Sequence, residues 1–555
     1  MNDDHLTQHK TTDRAKRLIN GREALCWLLI SGLCFRSLIA YWLPPGFDEA
    51  YYFLYTRHLD WSYFDHPVAV ALSTGFGIWL TGLVSPFTIR LSALGLFTAS
   101  LWILYETGRW LFGDHAGWWS CLIASLSPLF LLTFGTLTAP DNTLIFFWSS
   151  ALYLSAREFF PNQRPQQKPS PYTPTRKLTA IGVILGLCCL SKYHGFVLGL
   201  SLACFCLSSQ EHRVALMSKW LGLSITFFGF CLLPILYWNT QNDWISFQFQ
   251  LSARFQKSSA GYSFLQCLVV FATGVGFLFP TLGLPLWWVS LKAFWKQLAR
   301  KTNQADAQKT FTPPPSRRVQ FILWCGLPIA AGFTLLGGLT HTYPAWPAPG
   351  LWTLTLLLGR AAAQWPRKAV HRWLKSTGLI VGTLLIFALL HINLGLLQKP
   401  GQYAILGGII SPQEDPSTAL IDARQLRVQF ETSEVFQDAI TDTDFVLTHE
   451  FWLSGYVAMA LPHQKDNPNK PVVSSFTQDP RGHAVWFDPQ QWLGKSALFI
   501  SIADFSQPEI VSEIEPYFQS VTPLTTLTTK RGRAITETFY IYQADTLIQR
   551  YPFPY

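Results

Sequence analysis

Charged residues are the scarcest class in this chain of 555 residues. Asp, Glu, Lys and Arg make up 14% of it and hydrophobic residues 49%, whereas soluble domains are about 25% charged. Because apolar runs of about 20 residues recur along the chain, this deficit excludes an ordinary soluble protein and predicts a polytopic membrane protein. The first run, 24–43, is too long and too late for a cleaved signal peptide, so we expect a retained span.

Cysteine is absent from residues 400–555, and all ten cysteines lie between Cys26 and Cys325. None of them has the spacing of a metal site, so they are expected to be small buried apolar residues. The sequence also lacks a GxxxxGK[ST] phosphate loop, an HExxH helix and a GxSxG elbow. A membrane enzyme whose site faced away from the cytoplasm would have no cytoplasmic nucleotide to use. A lipid-linked donor would take the place of that nucleotide.

The net charge of +9 is divided unevenly along the chain. Residues 400–555 hold 18 acids and 10 bases, which leaves +17 for the first 399 residues. The basic residues lie in short segments between apolar runs, as in cytoplasmic loops, and no basic–aromatic stripe of the nucleic-acid-binding kind occurs. We therefore expect a cytoplasmic N-terminus and no nucleic-acid partner.

Counting crossings from these basic segments predicts about 11 transmembrane helices. Four apolar segments lie between the stretch after span 1 and the linker at 160–177, and if that linker is cytoplasmic one of the four cannot cross. The weakest candidate is 67–84, which is short and Gly-rich. We expect it to lie along the membrane interface, within a first external loop at 44–90. The spans are predicted at 24–43, 86–108, 115–135, 142–157, 178–191, 194–209, 220–238, 264–290, 320–339, 344–361 and 376–396.

The tail of the chain has a different pattern. Alternating runs such as DFVLTHEF, SALFISIADF and AITETFYIYQA, together with the helical pattern TSEVFQDAI, predict a small α/β domain. The chain thus divides into a cytoplasmic segment (1–23), a transmembrane domain (24–398) and a periplasmic α/β domain (399–555).

The stretch GFDEAYYFLYTRHLDWSYFDHP, residues 46–67, crowds ionisable groups beside the first span. Such groups at membrane level are costly and usually functional. Asp48 could simply cap a helix, yet a carboxylate here suits a general base that takes a proton from an acceptor hydroxyl. Since adjacent side chains point about 100° apart on a helix, we expect only one of Asp48 and Glu49 to face a substrate, and favour Asp48.

Other external clusters offer partners for a phosphate. His66 precedes a helix that starts with proline, and Arg57 and Arg90 carry guanidinium groups suited to oxyanions. A solvated turn and interfacial snorkelling are the alternatives. Asp141 in TAPDN is either a helix cap or a second functional acid, and Lys192 between two short apolar runs is costly without an anionic partner. The weaker candidates are Arg254, His341 and Tyr343.

Five segments occur in one order: DEAYYFLYTRHLDWSYFDHP, SPFTIRL, TAPDNTLIFFW, GLCCLSKYHGFVLGL and WNTQNDWISFQFQ. Together they resemble the bacterial glycosyltransferase family 39 membrane proteins. These are relatives of the dolichyl-phosphate-mannose protein mannosyltransferases and of the lipid A aminoarabinose transferases. The resemblance covers about residues 24–350, and the acidic pair and the DHP turn are its most specific parts.

The resemblance implies a GT-C fold with amphipathic helices in the first external loop. It also implies a polyprenyl-phosphate sugar donor and an inverting transfer to a lipid, glycan or protein acceptor at the bacterial inner membrane. Asp48, with Glu49 beside it, matches an essential acid of the first external loop, and Asp141 matches a second acid. His66 stands where some relatives have Lys, and His is mostly neutral near pH 7. No cofactor is required, although carboxylates are able to recruit a divalent metal.

Two other functions fit part of the sequence. A transporter or flippase of polyprenyl-linked sugars should show inverted repeats around a midplane site, but no convincing repeat occurs and the polar clusters lie on one face. A membrane-anchored scaffold leaves the acids beside the span unexplained. The sequence therefore favours a glycosyltransferase in which Asp48 acts on the acceptor and nearby cations stabilise a leaving phosphate.

Overall fold

A computed structural model of the chain describes residues 3–161, 171–253, 261–303, 316–340, 342–461, 471–503 and 508–555. Long helices form the chain up to Leu394, and a mixed sheet with short helices forms the rest. The first part contains α1 (Asp3–Trp42), α2 (Phe47–Tyr55), α3 (Ala69–Thr81), α4 (Pro86–Ile89), α5 (Leu91–Phe112), α6 (Asp114–Leu126), α7 (Pro140–Phe159), α8 (Lys177–Ser191), α9 (His194–Ser208), α10 (Lys219–Gln241), α11 (Ile245–Gln248), α12 (Phe264–Leu278), α13 (Pro280–Asn303), α14 (Ser316–Leu336), α15 (Ala348–Ala362) and α16 (Arg367–Leu394).

Within the described residues, five helical segments are long and apolar enough to cross a membrane, and the bent pair α12 and α13 makes a sixth if it is one span. The chain is therefore a polytopic helical membrane protein. Each predicted span contains a helix, but the predicted number of 11 is not confirmed. The five segments are Arg22–Trp42, Pro86–Phe112, Lys219–Gln241, Arg317–Leu336 and Arg367–Leu394.

The predicted span at 264–290 is not a single continuous helix in the structure. The axes of α12 and α13 are bent by 117° at Phe279, whose φ is 75°. This left-handed conformation is rare for a residue with a side chain. The next residue, Pro280, lacks an N–H and so favours the first position of a new helix.

The helix α3 is too short to cross a bilayer. Its 13 residues extend about 20 Å, whereas the hydrocarbon core is about 30 Å thick. Several of its large apolar side chains are half exposed, while Gly77 packs so closely on α4 that an added Cβ would lie 2.0 Å from the Thr88 carbonyl oxygen. This agrees with the prediction that 67–84 does not cross. The exposed side chains are Leu72, Phe76, Trp79 and Leu80.

The C-terminal domain is an α/β unit built on one five-stranded sheet. The strand order is β2-β1-β3-β5-β4, with β1 parallel to β2 and β3, and β5 antiparallel to β3 and β4. The central strands β1 and β3 are fully buried, as expected for strands covered on both faces. The predicted strands and helix are all present. The elements are α17 (Ala423–Thr432), α18 (Glu434–Thr441), β1 (Phe445–Thr448), α19 (Leu453–Ala460), β2 (Val472–Ser475), α20 (His483–Trp486), β3 (Ala497–Ser501), α21 (Pro508–Ile514), β4 (Phe518–Arg531) and β5 (Ala534–Leu547).

The short helix α2 joins the two parts of the molecule. Its residues Ala50 and Phe53 share one hydrophobic core with α19 and the sheet. The approach is close, because a Cβ added to Gly455 of α19 would lie 2.1 Å from the Ala50 carbonyl oxygen. The Tyr456 hydroxyl also donates a hydrogen bond of 2.7 Å to the carbonyl oxygen of Pro45. The start of the first external loop is therefore held by the C-terminal domain.

Candidate active site

The acidic pair lies in the first turn of α2. Gly46 is the N-cap residue, and its N–H donates a 2.9 Å hydrogen bond to Oε2 of Glu49, three positions later. Glu49 is 2% exposed, whereas Asp48 is exposed. The two acids thus point apart, as expected from helix geometry. Glu49 thus closes the first turn by accepting the N–H of the N-cap residue, and Asp48 makes no such capping hydrogen bond within the described residues.

Glu49 is held on every side. Its Oε1 accepts from Nε of Arg90 and from the Thr138 N–H, both at 2.8 Å, and its Oε2 accepts from Nη2 of Arg90. This buried ion pair ties α2 to the start of α5 and to the loop before α7. Glu49, predicted as a catalytic residue together with Asp48, is occupied by structural contacts that leave it no open face.

Arg90 has no donor left for a phosphate. It is fully buried, and all five of its guanidinium N–H groups are used. Two of them bond to Glu49 and three bond to backbone carbonyl oxygens at the end of α1 and just beyond it. The prediction that Arg90 binds a donor phosphate is therefore corrected: it fixes the first external loop. The three carbonyls belong to Ala40, Leu43 and Pro44.

Asp141 and Lys192 form a second buried ion pair. The Lys192 Nζ lies 2.9 Å and 3.0 Å from the two carboxylate oxygens of Asp141. Helix capping, the alternative role for Asp141, is carried out by the next residue, because Oδ1 of Asn142 accepts from the Ala139 N–H at 2.6 Å. The side-chain amide of Asn142 also donates to three carbonyls of the preceding loop, those of Thr133, Phe134 and Leu137.

Asp48 remains available among these occupied acids. Within the described part of the chain, no group donates a hydrogen bond to its side chain. Protein groups nevertheless surround it, and the resulting desolvation raises the pKa of Asp48 above the ordinary value. The positive charge of Arg481 opposes this rise most strongly, followed by Lys192, while Asp65 and Glu49 add to it. Asp48 is thus a carboxylate that is accessible and has a raised pKa, two properties of a general base.

The DHP turn faces the same region. Asp65 is 1% exposed, accepts a hydrogen bond from the Tyr55 hydroxyl and lies 3.3 Å from Nη1 of Arg481. Its carbonyl oxygen accepts from Nε2 of Gln250 at 2.6 Å. The His66 side chain is largely buried. The turn is therefore fixed by α2, by the segment after α10 and by the C-terminal domain.

Arg481 is the functional candidate that the sequence did not reveal. It belongs to the loop before α20 and reaches Asp65 across 416 positions of sequence. Its guanidinium lies 4.0 Å from the ring centroid of Phe451. An arginine in a soluble-type domain is ordinary, so no local pattern marked it. The long pairing becomes visible only once the C-terminal domain is docked on α2.

The remaining predicted residues are less central. The Arg57 guanidinium packs 5.2 Å from the Phe53 ring centroid, two residues beyond the end of α2, whereas Asp48 lies in the first turn of that helix. The ring of His66 lies 5.5 Å from that of Tyr52, a neighbour of the acidic pair. Tyr343 is 56% exposed. Two further predicted residues, Arg254 and His341, lie outside the described residues.

Three of the polar clusters between the helices are brought together at one end of the helical part. The segment after α8 bonds to the start of α7 through Lys192 and Asp141, and to the segment after α10 through Tyr193 and Ser246. The segment after α10 also bonds to the DHP turn through Gln250 and Asp65.

Among the residues that the structure describes, no three His, Cys, Asp or Glu side chains lie close enough to hold a metal ion. Three carboxylates of the site, those of Glu49, Asp141 and Asp65, form ion pairs with Arg90, Lys192 and Arg481, respectively.

The chain is similar to known proteins in part of its sequence and in its fold. Residues 65–238 match the family model described as dolichyl-phosphate-mannose-protein mannosyltransferase. ArnT from Cupriavidus metallidurans bound to undecaprenyl phosphate superposes with a TM-score of 0.61, over 94% of this chain and 98% of that chain, at 15% identity. The chain has the GT-C fold. The resemblance inferred from the sequence motifs is confirmed.

The apo state of the same ArnT superposes with a TM-score of 0.58 at 14% identity, over 96% of this chain and 98% of that chain. At this identity the likeness establishes the GT-C fold and not the reaction. No curated protein matches the chain by sequence. The family match spans the DHP turn, Asp141 and Lys192, while Asp48 lies before it and Arg481 beyond it.

Proposed function

We propose that this chain is a membrane glycosyltransferase that transfers a sugar from a polyprenyl-phosphate donor to an acceptor hydroxyl. The observation that carries the proposal is the state of Asp48. Its side chain is exposed, and the charges of Arg481, Lys192, Asp65 and Glu49 act on it. Glu49 and Asn142 cap the two helices that bring the site together.

The transfer is a single displacement at the anomeric carbon. Asp48 takes the proton of the acceptor hydroxyl as its oxygen attacks. The bond from the anomeric carbon to the phosphate oxygen breaks, and its electron pair leaves with the lipid phosphate, so the configuration inverts. Lys192 donates two of its N–H groups to Asp141. The third has no acceptor among the residues that the structure describes, and in this mechanism it stabilises the leaving phosphate. His66, when protonated, is a second candidate for that role.

The proposed setting is the outer face of a bacterial inner membrane. The N-terminal segment 1–23 is placed in the cytoplasm, the helical domain 24–398 in the bilayer and the domain 399–555 in the periplasm. The basic loops of the first 399 residues support this orientation. The acceptor is a lipid, glycan or protein that presents a hydroxyl at that face.

The test is transfer by the purified protein from radiolabelled undecaprenyl-phosphate sugars to membranes of a strain that lacks the gene. We expect Asp48→Asn to lower the rate by at least about 100-fold, the range of a lost general base. Asp60→Asn is the matched control in the same loop, since Asp60 accepts from the indole of Trp238 outside the site. Undiminished transfer by Asp48→Asn would contradict the assigned base, and no transfer from any such donor would overturn the function.

A further inference from the structure

The charges around Asp48 do not balance within the helical part. Glu49 is paired with Arg90 and Asp141 with Lys192, both through buried contacts below 3.1 Å. Two carboxylates are left, Asp48 in α2 and Asp65 in the DHP turn. The cation that reaches this region comes from the C-terminal domain: Nη1 of Arg481 lies 3.3 Å from Asp65, and the next N–H, of Gly482, is bonded to Tyr51 of α2. The charge of Arg481 also counters the rise in the pKa of Asp48.

The contacts of Arg481 occupy only part of its guanidinium group. Its Nη1 lies 3.3 Å from Asp65 and its Nε 3.4 Å from Asp479, both longer than the contacts of Arg90. The other three N–H groups have no acceptor within the described residues. The guanidinium lies over the Phe451 ring, so its plane is supported without being saturated by hydrogen bonds.

The backbone around Arg481 is held in an unusual conformation. Its φ is 47°, in the left-handed region that non-glycine residues rarely adopt. Its N–H donates to the Tyr555 hydroxyl, and the next N–H, of Gly482, donates to the Tyr51 hydroxyl of α2, both at 3.0 Å. Such a conformation persists only where the surroundings over-determine it, and it is typical of functional sites. Here it fixes the guanidinium against α2.

We propose that Arg481 is a positioning residue for the transfer, the shared counter-charge of Asp48 and Asp65 that completes the active site from the C-terminal domain. The inference rests on the proposed function, because Asp48 is taken as the base. Loss of the Arg481 charge removes the ion-pair partner of Asp65 and the larger of the two cationic effects on Asp48, with only that of Lys192 left to oppose the negative charge of Asp65. Mutual repulsion then favours the protonated form of Asp48, which cannot act as a base.

The expected signature is a shift in the pH dependence of transfer. The charged groups that face Asp48 are Glu49 beside it, Asp65, Lys192 and Arg481. A cation favours the ionised carboxylate, so its removal moves the acidic limb of the rate profile to higher pH, by roughly one pH unit. If the negative charge of Asp65 is removed as well, the acidic limb should move back toward the wild-type pH.

The test measures transfer from undecaprenyl-phosphate sugars against pH for four variants of the full chain. Arg481→Gln should shift the acidic limb upward, and Arg481→Lys, which keeps the charge, should leave it near the wild-type position. In the double variant Arg481→Gln with Asp65→Asn, most of this upward shift of the acidic limb should disappear. The matched control is Arg427→Gln, because Arg427 joins the same domain to the helical part through the Val84 carbonyl and also bonds to the Met459 carbonyl within its own domain.

The outcomes separate this proposal from the proposed function. If the wild-type protein shows no transfer, the function itself fails. If it transfers and Arg481→Gln lowers the rate or raises KM with an unchanged acidic limb, the positioning role is overturned and Arg481 serves docking or the donor instead. An equal limb shift in Arg427→Gln would also overturn it, because any loosening of the domain would then suffice. Thermal unfolding of each variant in detergent identifies those that fail to fold.

Discussion

Two helices of the structure begin with the same arrangement of side chains. In α2 and in α7 an acid stands at the second helical position and the cap at the third, namely Asp48 with Glu49 and Asp141 with Asn142. The third residue satisfies the free N–H groups of the helix terminus. The acid before it is thereby released for contacts across the site. An acid that seems redundant in sequence thus has a separate role in each helix.

This division of roles predicts opposite stability effects for neighbouring substitutions. Glu49→Gln leaves the buried Arg90 without its counter-charge, so we expect the free energy of unfolding to fall by about 3 kcal/mol. Asp48→Asn should leave stability unchanged or raise it. The pKa of Asp48 is raised in the folded protein, so its stabilising contribution is present at low pH and is lost as the pH rises through that pKa.

Thermal unfolding of both variants in detergent at neutral pH provides the measurement. A loss of stability in Asp48→Asn as large as that in Glu49→Gln would show that the two acids share one structural role. Asn142→Ala is a useful companion, because it removes the corresponding cap in α7.

At the scale of elements, the packing of α2 on α19 controls the position of the acidic pair. The contact is backbone to backbone, since the Gly455 site leaves no room for a methyl group beside the Ala50 carbonyl. A displacement of α19 would be transmitted directly to the first turn of α2. It would also move the loop that carries Arg481, because Gly482 is bonded to Tyr51.

We therefore expect Gly455→Ala to destabilise the protein by about 1–3 kcal/mol and to lower transfer. Gly229→Ala is the matched control, because an added Cβ in α10 meets nothing within 4 Å. Alanine there should be neutral or slightly stabilising. Unfolding midpoints and transfer rates of the two variants check the prediction, which a fully stable and active Gly455→Ala would refute.

Sequence patterns predicted where helices lie along the chain better than they predicted how helices bend or which groups a side chain contacts. The short length and glycines of 67–84 were enough to exclude a span, and α3 is indeed a helix of 13 residues. The same hydropathy reasoning read 264–290 as one span, because a bend at Phe279 leaves the apolar count unchanged. For Arg90, charge and position suggested an oxyanion, and only the backbone carbonyls that surround it in three dimensions reveal its structural role.

At the scale of the whole molecule, a buried polar cluster joins the last long helix to the sheet. Asp415 accepts hydrogen bonds from Ser417 and Gln398, and it lies 2.9 Å from Nε2 of His391 in α16 and 3.8 Å from Arg531 in β4. Desolvation raises the pKa of Asp415, but these hydrogen bonds outweigh it and hold the pKa below the ordinary value. The ionised carboxylate therefore stabilises the junction of the two domains.

The sign of this shift predicts an acid sensitivity. A lowered pKa means that the stabilisation is present above the ordinary aspartate pKa, about 4, and is lost as the pH falls through the folded value. We expect the unfolding midpoint of the wild-type protein to drop between about pH 5 and about pH 3. In Asp415→Asn this part of the drop should be missing, and parallel curves for the two proteins would contradict it.

The sequence indicated only some of the residues of the candidate site. Asp48, Asp141 and Lys192 stood out because charge is costly beside apolar runs. Arg481 and Asp479 lie in a domain where charge is unremarkable, and no periodicity links them to a turn more than 400 residues earlier. Pairings of this kind depend on how two domains dock, and hydropathy carries no information about that.

The position of α2 between the two parts also has a consequence for the order of events during synthesis. Ala50 and Phe53 leave the ribosome about 400 residues before their partners on α19. At roughly 5–20 residues per second, that gap lasts ~20–80 s. The helices of the membrane part can insert during this time, and Glu49 can already pair with Arg90, but the face of α2 that packs on α19 stays uncovered until the last domain folds. Under the proposed function, a half-made chain still lacks Arg481, the counter-charge that the C-terminal domain supplies to the site.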